Sequence, residues 1–286
     1  MLNQVGNGRG CEGLNRRLLA KSLSEIENRQ RIPETHEGLI IAFTGSPGVG
    51  KSCLIDRLIY QWSTTKTIAV LAVDPTSPLS GGALLGDRIR MTVLDEPELG
   101  KQVYFRSVAT RESSGSVPSI VGDLASHLFS EGFDMVVVET VGAGQSEMRC
   151  AALANKIIVV EGPSRGDIIQ AEKAGLLELA DLVVVNKSDL PGASKVAHEI
   201  QSSLSLADDA PNIVLVSAQT GEGIEELAEE ILSTKSSVKT NRARIRERVL
   251  MWHENKLLHR ENFDHVIEQI SSGEMSFEEG LGALND

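Results

Sequence analysis

Gly45-Ser46-Pro47-Gly48-Val49-Gly50-Lys51-Ser52 spells a complete G-x-x-x-x-G-K-S loop, a spacing suited to cradling a phosphate chain. Its glycines let backbone N–H groups converge on anionic oxygens. The helix that follows adds partial positive charge, and Lys51 is placed to span the β and γ phosphates. Ser52 would set its hydroxyl on Mg²⁺, with Cys53 directly behind it. Both flanks suit the loop: the apolar run Leu39 to Thr44 reads as a strand before it, and Leu54, Ile55, Leu58 and Ile59 mark a helix after it.

Asn186-Lys187-Ser188-Asp189 closes another apolar run and reads as N-K-x-D. An aspartate carboxylate accepts from two adjacent N–H donors, which guanine offers at N1 and its exocyclic amine and adenine does not. The expected ligand is therefore GTP or GDP. Ser217-Ala218-Gln219, at the end of the next apolar run, is the natural companion on the base side.

The acids come next. Met135 to Glu139 reads as a buried strand ending in a carboxylate, followed by Thr140-Val141-Gly142. An acid at that edge suits Mg²⁺ held through water, and Gly142 offers an N–H to a γ-phosphate. Asp74, before Pro75, places a second carboxylate on the same edge. Asp87 opens a helix and is either a site acid or only its N-cap. Gln145 lies three residues beyond Gly142, whereas a Ras-like switch sets its water-positioning glutamine directly after that glycine; a catalytic and an ordinary loop role both stay open. The candidate catalytic set is Lys51, Asp87, Glu139 and Gln145, and the candidate metal ligands are Ser52, Asp74, Asp87 and Glu139. Arg106 and Arg111 flank a serine-rich loop, where an arginine either neutralises transition-state charge or forms a surface ion pair.

Five to seven short runs rich in Val and Ile must position these residues, drawn from Leu39 to Thr44, Thr67 to Val73, Val103 to Val108, Met135 to Glu139, Lys156 to Glu161, Leu182 to Asn186, and Asn212 to Ser217. Runs apolar on both faces, alternating with amphipathic stretches, predict an α/β domain with an open, mainly parallel sheet covered by helices over 38–235. A helical extension over 1–37 precedes it, with a helix from Gly13 to Arg31 stopped at Pro33. A helical arm over 236–286 follows, with helices from Arg242 to His259, Glu261 to Ser271, and from Ser276 with Glu279 in capping-box position. Its apolar stripes, including Leu250, Leu257, Phe263, Val266, Ile267 and Ile270, either pack back on the sheet domain or meet a second subunit.

The 286 residues carry 28 Lys and Arg against 40 Asp and Glu, a net charge of −12, which disfavours nonspecific binding to nucleic acid or anionic membrane. No apolar run approaches the roughly 20 residues of a membrane span. Three scattered cysteines, Cys11, Cys53 and Cys150, fit a reducing cytoplasm, with the mitochondrial matrix as the eukaryotic alternative. The basic N-terminal stretch has no apolar secretory core, and Glu12, Glu25 and Glu27 interrupt the basic face a transit peptide would need. The six histidines form no metal-binding pattern, and neither a nucleophile elbow nor a dinucleotide fingerprint is present.

The loop residues, the run from Ala72-Val73-Asp74-Pro75-Thr76-Ser77-Pro78 to Gly86-Asp87-Arg88-Ile89-Arg90-Met91, Glu139-Thr140-Val141-Gly142-Ala143-Gly144-Gln145-Ser146-Glu147, and Asn186 to Asp189 together resemble the MeaB/ArgK family of GTPases. That family includes the human methylmalonic aciduria type A protein; older usage calls its members LAO/AO transport ATPases. The resemblance implies a SIMIBI-class P-loop GTPase that serves an adenosylcobalamin-dependent acyl-CoA mutase as a G-protein chaperone, gating cofactor loading and protecting the enzyme. It also implies acids matching Asp74, Asp87 and Glu139 around Mg²⁺, and a homodimer through the C-terminal helices. The chain departs from the family pattern at Glu112 to Pro118, at Gly166 to Gly175, and at Cys53, where threonine is usual. Two rival readings remain: a nucleotide-dependent scaffold with vestigial hydrolysis, and a metal-enzyme maturation GTPase of the same class.

Overall fold

A computed structural model describes residues 15–28, 30, 31, 36–75, 91–110, 117–140, 149, 153–163, 176, 177, 179–205, 210–235, 238–258 and 260–285; the side chains of 74, 75, 109, 110, 117–119, 238–240, 255 and 285 are outside that description. Among the described residues, the strands are β1 (Leu39–Gly45), β2 (Ile68–Pro75), β3 (Val103–Thr110), β4 (Met135–Thr140), β5 (Lys156–Glu161), β6 (Leu182–Val185) and β7 (Asn212–Leu215). They form one sheet in the order β3-β2-β4-β1-β5-β6-β7, with every neighbouring pair parallel. The expected open parallel sheet is thus present. β7 stops at Leu215, two residues before the expected Ser217: Val216 N still donates to Val185 O at 3.0 Å, and Ser217 N turns to Glu222 O at 3.0 Å.

Among the described residues, the strands are accompanied by the helices α1 (Arg16–Glu27), α2 (Lys51–Trp62), α3 (Val117–Ser130), α4 (Ala193–Leu204), α5 (Ile224–Ser233), α6 (Val238–Leu258), α7 (Phe263–Ser272) and α8 (Phe277–Asn285). Alternate strand residues face opposite cores. Ile41, Phe43, Val137 and Ile158 pack with Leu54 and Leu58 of α2 and Leu227 and Ile231 of α5. Ala42, Val136, Val138 and Ile157 face the other way, onto Leu19 and Leu23 of α1, Leu124 and Leu128 of α3, and Ile200 of α4. Burial on both faces explains why these strands read as unbroken apolar runs.

Because all strands run the same way, their C-terminal ends share one edge. β1 lies between β4 and β5, and the chain crosses to β2 on one side and builds β5, β6 and β7 on the other. A crevice at that reversal is where an open α/β sheet binds ligand.

The flanking helices are tied to the sheet by arginines. α1 starts on Asn15, whose Oδ1 accepts from the N–H groups of Arg17 and Leu18 at 3.1 Å each. Arg16 then reaches Gly100 O at 2.7 Å and Val103 O at 3.0 Å. Arg106 on β3 donates to Glu27 at 3.0 and 2.5 Å, so it is an ion-pair anchor for α1, the second of the two readings open for it. In α6, Arg244 donates to Asn155 O at 2.9 Å, to Leu179 O at 2.8 Å and to the Asp181 carboxylate. Asp181 Oδ2 also accepts from Ile157 N at 2.7 Å. Arg248, one turn on, takes Leu153 O at 2.9 Å and Ala154 O at 3.1 Å.

Polar groups therefore hold α6 inward. Ile245, Val249 and Trp252, at helical spacing, are 57%, 58% and 64% exposed, and Leu250 is also exposed. α7 and α8 pack on each other around Val266. A Cβ at Gly280 would come within 2.4 Å of Ile270 Cδ1, so a larger residue there would displace the Ile270 side chain. Ser276 and Glu279 form the expected capping box, Ser276 N donating to the carboxylate at 2.9 Å and Glu279 N to the hydroxyl at 3.3 Å. No described helix is long and apolar enough to cross a membrane.

Candidate nucleotide-binding site

The phosphate loop connects β1 to α2 at the sheet's C-terminal edge. Gly45 ends β1 at φ 134°, and a Cβ there would fall 2.0 Å from Val160 O of β5. Gly50 precedes α2 at φ 92°, and a Cβ there would meet Asn186 Nδ2 at 2.7 Å. Both positions need glycine for space as well as for conformation. Pro47 and Gly48 are exposed, whereas Ser46 and Val49 are buried.

Lys51 is 6% exposed and donates through Nζ to Gly45 O at 2.8 Å and Ser46 O at 3.0 Å. The ammonium is thus folded back onto the carbonyls of its own loop. Ser52 Oγ donates to Glu139 Oε1 at 2.7 Å. Glu139 itself is 1% exposed at the end of β4. The expected hydroxyl and acid are thus in direct contact.

On the base side, Asn186 joins three segments. Its Nδ2 donates to Val49 O at 2.9 Å, and its Oδ1 accepts from Ala218 N at 3.0 Å. Lys187 has φ 63°, which directs its side chain back over the phosphate loop, where Nζ meets Gly48 O at 2.7 Å. Asp189 accepts a hydrogen bond from Ser217 Oγ, which in turn accepts from Thr220 N at 3.1 Å. Cys53 Sγ lies 4.0 Å from Ala218 O, on the side of the Asn186 loop. Gln219 is exposed beside it.

The structure therefore brings together Gly45 to Cys53, Glu139, Asn186, Lys187, Asp189 and Ser217 to Gln219. Asp87, Gly142 and Gln145 lie outside the described residues, as does Arg111; for Asp74 only the backbone at the end of β2 is described. Two nearby side chains escaped the sequence reading. Glu161, 8% exposed at the end of β5, accepts from Ser46 Oγ at 3.1 and 3.3 Å. Arg57 reaches from α2 to Ala218 O at 3.1 Å and Gln219 O at 3.4 Å. The position of Glu161 beside the turn that ends its strand could have flagged it; Arg57 sits on an ordinary exposed helix face with no such signal.

Mg²⁺ needs hard oxygen ligands and commonly takes one or two protein groups, with phosphate and water completing the shell. The Ser52 hydroxyl and the buried Glu139 carboxylate match that donor set. Among the described residues no group of three or more His, Cys, Asp or Glu is placed to hold a metal ion.

Residues 19–273 match the family described as methylmalonyl-CoA mutase-associated GTPase MeaB. A Pyrococcus horikoshii protein named as a GTPase is 39% identical over 237 residues, which is 77% of this chain and 74% of that protein. A fused isobutyryl-CoA mutase of Paraburkholderia xenovorans is 39% identical over 165 residues, covering 56% of this chain and 13% of the fusion. A crystal structure of an LAO/AO transport system kinase superposes with a TM-score of 0.62 at 22% identity, covering 95% of this chain and 92% of the other, a likeness of fold. The chain belongs to the MeaB family of GTPases, and it is a GTPase.

Proposed function

We propose that the chain binds Mg²⁺ and GTP at this edge, hydrolyses the triphosphate, and uses the cycle to chaperone an adenosylcobalamin-dependent acyl-CoA mutase, gating cofactor loading and protecting the enzyme. The observation that carries the nucleotide part is the preassembled polar set: Lys51 over its own loop carbonyls, Ser52 on Glu139, and Asn186 between the phosphate loop and Ala218. The mutase part is supported by the family description and by the relative in which a similar segment shares one polypeptide with an isobutyryl-CoA mutase.

In the reaction, a water oxygen attacks the γ-phosphorus, the bond to the β–γ bridging oxygen breaks, and GDP and phosphate leave. Lys51 transfers its ammonium from Gly45 O and Ser46 O to phosphate oxygens, where it offsets charge building on the leaving group. Ser52 and Glu139 would hold Mg²⁺, which neutralises the β and γ oxygens when bound. Asp189 exchanges its bond from Ser217 for the guanine N–H groups, and Asn186 keeps the base loop in register with the phosphate loop. Asp87, Asp74, Gly142 and Gln145 complete this proposal as metal, phosphate and water-positioning residues. The exposed apolar residues of α6, with Phe277 and Leu281 of α8, support a homodimer through the C-terminal helices.

Phosphate release from GTP, followed with and without a cobalamin-dependent acyl-CoA mutase and adenosylcobalamin, tests the whole reading. Turnover that depends on Mg²⁺ and changes with the mutase is expected. ATP bound as tightly as GTP would sink the base assignment, and a mutase that neither binds nor alters turnover would sink the chaperone role.

A further inference from the structure

Arg57 stands on α2 and spends its guanidinium on two carbonyl groups 161 and 162 residues away: Nε donates to Ala218 O at 3.1 Å and Nη2 to Gln219 O at 3.4 Å. These carbonyls belong to the loop whose first residue, Ser217, meets Asp189. In a trans peptide the C=O and N–H point to opposite sides. Drawing Ala218 O towards α2 therefore turns the N–H of Gln219 away from α2. The next peptide shows the same polarity directly, with Gln219 O on Arg57 and Thr220 N donating at 3.1 Å to the Ser217 hydroxyl that meets Asp189. Among the described residues, no acceptor takes the Gln219 N–H.

The direction of those dipoles matters for the base. Guanine presents a carbonyl oxygen at C6, which accepts; adenine presents an amine there, which donates. A loop offering N–H groups suits the first, and a loop offering carbonyls suits the second. We propose that Arg57 is a specificity-determining positioning residue: by holding the Ala218 and Gln219 carbonyls outward, it keeps the 217–220 loop a donor to the C6 oxygen and excludes a C6 amine. This division of labour leaves the C6 position to the Arg57-held loop and the N1 and C2 positions to Asp189. It rests on the guanine-site reading above.

Calorimetry with GDP, inosine diphosphate and 2,6-diaminopurine riboside diphosphate, each on the full chain with and without Arg57, isolates the C6 role. The first two have the C6 oxygen, the third has an amine there, and its missing N1–H weakens the Asp189 contact equally in both chains. Arg57→Ala should weaken GDP and inosine diphosphate alike, by about tenfold for the loss of one well-placed donor. The diaminopurine nucleotide should be held as before or more tightly. Arg57→Lys, which cannot span both carbonyls, should fall between. GDP and inosine diphosphate bound as tightly as by the parent chain would overturn the proposal, and so would an equal loss for all three ligands, since that would be general loosening of the pocket. Failure of the guanine reading looks different: the parent chain would then bind ADP as tightly as GDP, and Asp189→Asn would leave GDP affinity unchanged.

Discussion

Asn186 and Arg244 are both buried polar side chains that bind several backbone segments, yet they serve different ends. The bonds around Asn186 lie among groups with short-term partners: Lys51 on carbonyls of its own loop, Asp189 on Ser217, Ser52 on Glu139. Each of those partners is weaker than the phosphate, base or cation that could replace it. Arg244 instead closes a set in which Asp181, Ile157 N, Asn155 O and Leu179 O all belong to the fold. On the proposed reading the first network is handed to a ligand, whereas the second attaches α6 to the segments leading into β5 and β6. Polar burial alone does not mark a functional site; exchangeable partners do.

The comparison breaks first at the closed network. Arg244→Ala leaves the Asp181 carboxylate, 1% exposed, without its cation, at an expected cost of about 3–5 kcal/mol of unfolding free energy. Urea titration should show that loss, and a variant as stable as the parent chain would refute the assignment. Removing everything after Lys239 strips the same cation together with Arg248, so such a fragment should be destabilised by at least that amount.

Asp189→Asn should act on the ligand-ready network alone. Guanine nucleotide affinity should fall by about 2–4 kcal/mol, with xanthosine nucleotides gaining through the new amide. The urea midpoint without nucleotide should stay where it was; a large shift would place Asp189 among the structural groups.

Trp252→Glu probes the outward face of the helix that Arg244 holds inward. If that face meets a second copy, dimerisation should weaken by about 2 kcal/mol or more, read by sedimentation, with GDP affinity unchanged. A parent chain that sediments as a monomer at micromolar concentration would remove the dimer from the proposal. Ser52→Ala should cost about 1.4 kcal/mol of GTP affinity with Mg²⁺ present and little after chelation. Equal losses in both conditions would mean that the hydroxyl does not serve the cation.

The smallest effect concerns His127 on α3, a closed-network group. Burial lowers its pKa below the ordinary 6.5, Arg31 pushes the same way, and Glu131 opposes them. Its Nε2 meets Ser22 Oγ of α1 at 2.7 Å. The unfolded chain takes up the proton first, so this contribution to stability is present above about pH 6.5 and declines as pH falls towards the lower folded value. His127→Gln should flatten that decline in urea midpoints measured between about pH 7.5 and about pH 5.5; an unchanged slope would assign it elsewhere.

Strand positions were legible because two-faced burial demands Val and Ile runs bounded by turns. The phosphate loop and the guanine motif were legible because their chemistry fixes both residue type and spacing. The partners of Arg57, Glu161 and Arg244 were not, because their contacts cross 161, 115 and 63 residues. Periodicity reports which face of an element is buried and says nothing of which distant carbonyl meets a guanidinium. Helix α6 shows the cost: its apolar stripe left inward packing and a second subunit equally open, and it did not indicate that Leu250 would be 50% exposed while Arg244 is buried.

The place of β1 in the sheet bears on how the protein is made. Its neighbours are β4 and β5, whose residues emerge from the ribosome roughly 90–120 positions later. Until then Ile40, Ile41, Ala42 and Phe43 have two unpaired edges, the kind of segment that associates with other nascent chains. A chain stalled before Lys156 would carry the phosphate loop's full sequence yet lack the β5 strand that Gly45 packs against and the Asn186 that holds Val49. Nucleotide should therefore rescue late folding but not early folding, and the short loop that looks most autonomous in the sequence is among the last parts of the molecule to become competent.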